Sequence, residues 1–109
     1  MILSLKNIAP ILNAKWVGIA ENTIIDNISI DSRSLQNGEH TLFFALVGAN
    51  NDAHLSISSL IDEGVQNFVV THIPEDLKNK ANYLIVENTL VALQEFAAYY
   101  RQLFDFRVI

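Results

Sequence analysis

Two short runs in this chain of 109 residues carry residue types suited to recognising a polar, anionic ligand. The first is Asp31-Ser32-Arg33, where an alternating stretch from Asn27 to Asp31 ends. Arg33 offers a planar fork of donors that matches phosphate oxygens, and the Ser32 hydroxyl can donate or accept toward a phosphate or a base. The second is Gly48-Ala49-Asn50-Asn51-Asp52-Ala53-His54, between an apolar run and a helical pattern. Gly48 lets backbone come close to a ligand, and the Asn50 and Asn51 amides suit the edge of a base. A helix starting beyond them turns free N–H groups toward a negative charge. Each run also has a plainer reading. Asp31 and Arg33 can pair locally to shape the turn before Asn37-Gly38, and Asp52 can simply cap a helix while His54 stays solvated.

Other chemistries lack support. His40, His54 and His72 have no metal-ligand spacing and are expected at the surface. There is no nucleophile-elbow pattern and no glycine-rich phosphate loop ending in Lys, so no catalytic residue, no metal ligand and no ATP site of that kind is assigned. A net charge of −5 with seven scattered Lys and Arg argues against nucleic acid as the main partner. Cysteine is absent, which removes disulfides and thiolate chemistry and is compatible with a cytosolic setting. No apolar run approaches the roughly 18 residues of a membrane span, so no membrane partner is expected.

The elements that must position these runs follow from patterning. Ser4 caps a short helix with Leu5, Ile8, Ala9 and Leu12 inward, and Pro10 should kink or shorten it. Lys15 to Val17 reads as a strand ending in a turn at Gly18, with Trp16 as a core anchor, and Ile24-Ile25 as a short extended piece. Asn27 to Asp31 has the period of a half-buried strand, and Leu42 to Val47 that of a central strand covered on both faces. Asp52 caps a helix with Leu55, Ile57, Leu60 and Ile61 inward, closed by Gly64. Asn67 to Val70 and Tyr83 to Val86 are further strands, joined by a polar loop. Asn88 caps the longest helix, with a stripe of Leu90, Leu93, Phe96, Ala97, Tyr100 and Leu103. Tyr99 and Tyr100, near Phe104 and Phe106, read as core and interdomain packing. Helices alternating with apolar strands give an α/β domain with a mixed β-sheet and flanking helices. The final Arg107-Val108-Ile109 reads as the start of a strand, so the chain is expected to be a piece of something longer.

The ordered set Asp31-Ser-Arg33, Gly38, Leu42-Phe-Phe-Ala-Leu-Val-Gly48, Asp52-Ala-His54, Gly64 and Asn88-Thr-Leu-Val-Ala-Leu-Gln94 resembles the N-terminal domain of the Mur ligases. The D-alanyl-D-alanine-adding (MurF-type) ligases come first and the tripeptide-forming (MurE-type) ligases next. The resemblance implies a MurE/MurF-like domain over residues 1–106 that binds the uridine diphosphate of a UDP-N-acetylmuramoyl peptide. Residues 107–109 would begin the first strand of an ATP-binding central domain. By motif, Ser32, Arg33, Gly48, Ala49, Asn50, Asn51 and Asp52 carry over as the UDP site: Ser32, the loop backbone and the Asn50 amide near the uracil, Arg33 and the helix start near the phosphates.

The same resemblance implies a cytoplasmic, peptidoglycan-building amide ligase whose ATP, magnesium and amine sites lie beyond Ile109. This segment alone would then be inactive, partnered by the central and C-terminal domains of its own chain. The MurE-type ligase, a downstream alanine racemase fusion, and, outside the family, a stand-alone α/β interaction module remain open. The family usually has Asp-Gly-His where this chain has Asp52-Ala53-His54. Alanine disfavours positive φ, so either the loop turns differently or Ala53 is already helical.

Overall fold

A computed structural model describes residues 3–20, 23–25, 27–30, 40–48, 52–74 and 76–100. The apolar runs pair as a five-stranded sheet in the order β2 (Lys15–Val17), β7 (Asn82–Ile85), β6 (Asn67–Val70), β5 (Thr41–Phe44), β4 (Asn27–Ser29). β4, β5, β6 and β7 run parallel, and β2 is antiparallel to β7. The sheet is therefore mixed but mostly parallel, as the alternation of strand and helix patterns requires. A separate two-stranded piece joins β1 (Leu3–Ser4) to β3 (Ile24–Ile25).

Strand periodicity divides the core in two. Leu42, Phe44, Val69, Leu84 and Val86 face α1 (Leu5–Leu12) and α3 (Thr89–Tyr100), with Leu5, Ile8, Leu12, Leu93 and Phe96 in the same cluster. Phe43, Ala45, Phe68, Val70 and Tyr83 face the other way, against Ile57 and Leu60 of α2 (Ile57–Asp62). Both faces of β5 and β6 are thus covered, which explains why those segments read as unbroken apolar runs.

Local signals set the helix ends. The Ser4 hydroxyl accepts from the Asn7 N–H, and α1 stops two residues after Pro10, with Asn13 in the left-handed region at φ 52°. Past α2, Gly64 takes φ +103°; its N–H donates to the Ile61 carbonyl and the Val65 N–H to that of Leu60, the paired bonds of a Schellman close. The Asn88 side chain accepts from the Val91 N–H and caps α3.

Two inward faces differ from the sequence expectation. Leu55 is 84% exposed. The chain enters α2 through a 3-10 turn, Ala53–Ser56, in which positions three apart eclipse; His54 and Ile57 are buried and Leu55 points out. On α3 the buried stripe is Thr89, Ala92, Leu93 and Phe96, while Leu90 is 46% exposed. The small Ala92, rather than Leu90, lies in the cluster shared with α1, where it permits close helix approach. Tyr99 is exposed; Leu103, Phe104, Phe106 and the final Arg107 to Ile109 lie outside the described residues.

A polar ladder lies at the amino edge of the parallel strands. The buried Asn82 Oδ1 accepts from the Ile19 and Ala20 N–H groups at 3.0 and 2.9 Å. Its Nδ2 donates to Asn67 Oδ1 at 3.0 Å and to Thr23 Oγ1 at 3.3 Å, and Asn67 Nδ2 donates to the Thr41 carbonyl at 3.1 Å. Gly18 is required beside it, because a Cβ there would meet Asn82 Oδ1 at 2.8 Å and Trp16 Cη2 at 2.9 Å.

Tyr83 is fully buried on the α2 face, and its hydroxyl donates to the Leu77 carbonyl at 2.6 Å. Burial pushes the phenol from its usual 10 up to about 12. The folded state therefore keeps this proton where the unfolded chain has lost it. Stability from this group is complete below pH 10 and falls as pH rises toward about 12. Tyr83→Phe is expected to cost about 1 kcal/mol near neutrality and to flatten that alkaline loss, as read from urea midpoints on either side of the phenol range.

Candidate functional site

All four parallel strands end on one edge, where ligands of open α/β sheets gather. The loop after β5 is built from that edge. The Ala45 N–H donates to the Val69 carbonyl at 2.9 Å, holding the chain beside β6 just past the strand. Val47 and Asp52 then form an antiparallel bridge, and the Ala53 N–H donates to the Leu46 carbonyl at 2.9 Å. These contacts bring the two ends of the 48–52 loop together. Gly48 and the partly exposed Asp52 are the expected site residues that are described; Ser32, Arg33, Ala49, Asn50 and Asn51 lie outside the described residues.

Asp52 caps the 3-10 turn as the sequence suggests, but it has a second partner. Its Oδ1 accepts from the His54 backbone N–H at 2.9 Å and from His54 Nδ1 at 2.7 Å. Ala53 is the first residue of that turn and has no positive φ, so alanine fits the backbone without strain. The His54 N–H holds the Asp52 carboxyl below its usual 3.8, helped against partial desolvation by the bond to the His54 ring. A depressed carboxyl stabilises the folded loop above pH 3.8 and loses that contribution as pH falls through the folded value. Acidification through that range is therefore expected to lower the protection of the His54 amide, relative to its intrinsic exchange at each pH, before that of the sheet amides.

His54 is the residue that sequence reasoning misplaced. It is 4% exposed rather than on the surface. Its Nε2 accepts from the Thr71 backbone N–H at 3.0 Å, with Thr71 Oγ1 at 3.3 Å, and its ring stacks on that of the exposed His72 at 4.4 Å and 8°. A backbone N–H can only donate, so the bonding assigns the proton to Nδ1 and leaves Nε2 as acceptor. The ring bridges the loop after β5 to the end of β6. No sequence signal marked this, because Thr71 lies 17 residues away, just past the end of β6. His40 is exposed as expected, its Nδ1 lying 3.1 Å from the Ile24 carbonyl.

Further along the same edge, a cleft of about 710 Å³ runs beside Thr71 between the ends of β6 and β7, lined by Lys15, Glu87, Asn88, Val91 and Glu95. Four separate segments contribute to it. Among the described residues, no three His, Asp or Glu side chains come together to hold a metal. No described helix is long and apolar enough to cross a membrane.

No protein-family model matches the chain. It is 36% identical over 100 residues to the UDP-N-acetylmuramoyl-tripeptide–D-alanyl-D-alanine ligase of Buchnera aphidicola, covering 92% of this chain and 20% of that protein. Against the ligase of the same name from Haemophilus influenzae it is 33% identical over 107 residues, 98% of this chain and 22% of the other. A crystal structure of MurF from Acinetobacter baumannii superposes with a TM-score of 0.78 at 26% identity, over 94% of this chain and 22% of that one. The mixed sheet, its carboxyl-edge loop and these matches define a Mur ligase domain, and the chain belongs to that family. Within the family it is an N-terminal domain of the MurF type. It spans about a fifth of the length of the relatives it matches.

Proposed function

We propose that this domain binds the uridine diphosphate of a UDP-N-acetylmuramoyl peptide, for an amide ligase that adds D-alanyl-D-alanine in peptidoglycan synthesis. The observation that carries the reading is the 48–52 loop at the carboxyl edge, its ends tied by the Val47–Asp52 bridge and its Asp52 fixed by His54. Binding at a loop whose ends are already tied costs less ordering, and Asn50 and Asn51 supply the amides of this reading. β4 lies next to β5, and Asp31-Ser32-Arg33 follow it in sequence, so Ser32 and Arg33 belong to the same reading with a hydroxyl and a guanidinium.

The chain has no glycine-rich loop followed by Lys, so no ATP site of that kind is assigned to it. ATP and magnesium are assigned to the remainder of a protein whose relatives are about five times longer, residues 1–106 forming the substrate-binding unit. Acting on a soluble nucleotide precursor fits a cytoplasmic setting, with the peptide substrate and neighbouring domains as partners.

Titration with uridine diphosphate, followed by backbone amide NMR with ATP as control, tests the reading. Shifts are expected at Ser32, Arg33 and 48–54, with little response to ATP. The double variant Ser32→Ala, Arg33→Ala should bind uridine diphosphate about 30-fold more weakly, as loss of charge-assisted bonds implies, with the unfolding midpoint nearly unchanged. Unchanged binding, or equal loss of fold, would instead favour an interaction module without nucleotide.

A further inference from the structure

His54 does more than fill the core beneath the loop. A buried imidazole used for packing alone needs no polar partner at a fixed angle, whereas here both ring nitrogens are engaged by different elements. Nδ1 is 2.7 Å from Asp52 Oδ1, at the closing end of the 48–52 loop. Nε2 is 3.0 Å from the Thr71 amide nitrogen, one residue past the end of β6. The ring is also fixed in plane by its stack on His72. Among the described residues, the Asp52 carboxyl has no partner besides the His54 amide and ring, while its backbone bridges to Val47 and accepts from the Leu55 N–H; its side chain is 37% exposed. The orientation of the Asp52 carboxyl therefore depends on the ring, and the ring is tied to the end of β6.

We propose that His54, neutral and protonated on Nδ1, is a positioning residue for nucleotide binding: it ties Asp52, at the closing end of the 48–52 loop, to the end of β6. It touches no ligand. It acts by fixing the Asp52 carboxyl before a ligand arrives, so that less ordering is left to binding. The proposal rests on the reading of this domain as a uridine diphosphate binder.

The structure also sets the substitution pattern. An Asn side chain carries an amide N–H near the place of Nδ1 but cannot reach Thr71. Phe keeps the ring volume and the stack and loses both bonds.

The test combines ring NMR of nitrogen-labelled protein with uridine diphosphate titrations of the wild type, His54→Phe and His54→Asn. The wild-type His54 ring should show the Nδ1–H form. His54→Phe should unfold cooperatively yet bind about tenfold more weakly at temperatures where it is fully folded, and His54→Asn should recover about threefold of that loss. An Nε2–H ring overturns the proposal, as does a folded His54→Phe that binds like the wild type, or His54→Asn no better than Phe. If His54→Phe does not fold, His54→Asn carries the comparison, and wild-type affinity in it overturns the link to Thr71. Failure of the nucleotide reading is seen separately, as a wild-type protein that does not respond to uridine diphosphate at all.

Discussion

Replacing Asn82 with Leu is expected to remove about 3 kcal/mol of stability, a fall in Tm of roughly 10–20 °C for a domain of this size. Leu shares the branching of Asn and adds apolar surface, so a transfer argument alone would predict a gain. The hydrogen bonds reverse that sign. Asn82 Oδ1 is the acceptor for the Ile19 and Ala20 amides, and its Nδ2 satisfies Asn67 Oδ1, which is itself buried. Leu takes the acceptor from the Ile19 and Ala20 amides and a donor from the buried Asn67 Oδ1, each loss costing about 1–3 kcal/mol where water cannot replace it. Gly18 approaches so closely that the larger branched end of Leu must also displace the turn. Urea unfolding of Asn82→Leu measures the loss, and nucleotide titration at low temperature supplies the control. The ladder lies at the amino edge, opposite the loop, so the folded fraction should bind with wild-type affinity. Stability unchanged within about 0.5 kcal/mol would mean that water or the loop satisfies those amides.

That ladder also marks the limit of what the sequence shows. The strands were legible because Leu42 to Phe44, Phe68 to Val70 and Tyr83 to Ile85 are apolar on both faces, and burial on both faces is what a parallel sheet demands. The caps at Ser4, Asp52 and Asn88, and the close at Gly64, were legible because each needs only partners within a few residues. Asn82 and His54 depend on partners far along the chain, 63 and 17 residues away, and polar residues of those types read as surface until the partner is seen. The candidate site divides in the same way. The order of loop residues from Gly48 to Asp52 was visible as a pattern. The clamp that holds their end, through His54 to Thr71, exists only once β5 and β6 lie side by side.

The contrast between Phe96 and Leu90 gives the second large effect. Phe96→Ala is expected to cost about 3–5 kcal/mol and Leu90→Ala less than about 0.5 kcal/mol, though the sequence places both on one apolar stripe of α3. Phe96 is fully buried with its ring 6.1 Å from that of Phe44, in the cluster that joins α1, α3 and the sheet. Truncating it leaves a void between two helices and a strand that cannot all close on it at once. Leu90 lies in the first turn, 46% exposed beside the equally open Val91, because the Asn88 cap starts the helix in a phase that turns Thr89 inward. Its loss removes little packing, and alanine favours the helix. The two variants, measured by denaturant unfolding at one temperature, therefore report the phase of α3 directly. Comparable losses would place Leu90 in the core and rotate the helix by about one residue, about 100°, from the phase described. A large loss at Phe96 alone fixes Thr89, Ala92, Leu93 and Phe96 as the face that binds α3 to the sheet, leaving Leu90 and Val91 outside the core of this domain.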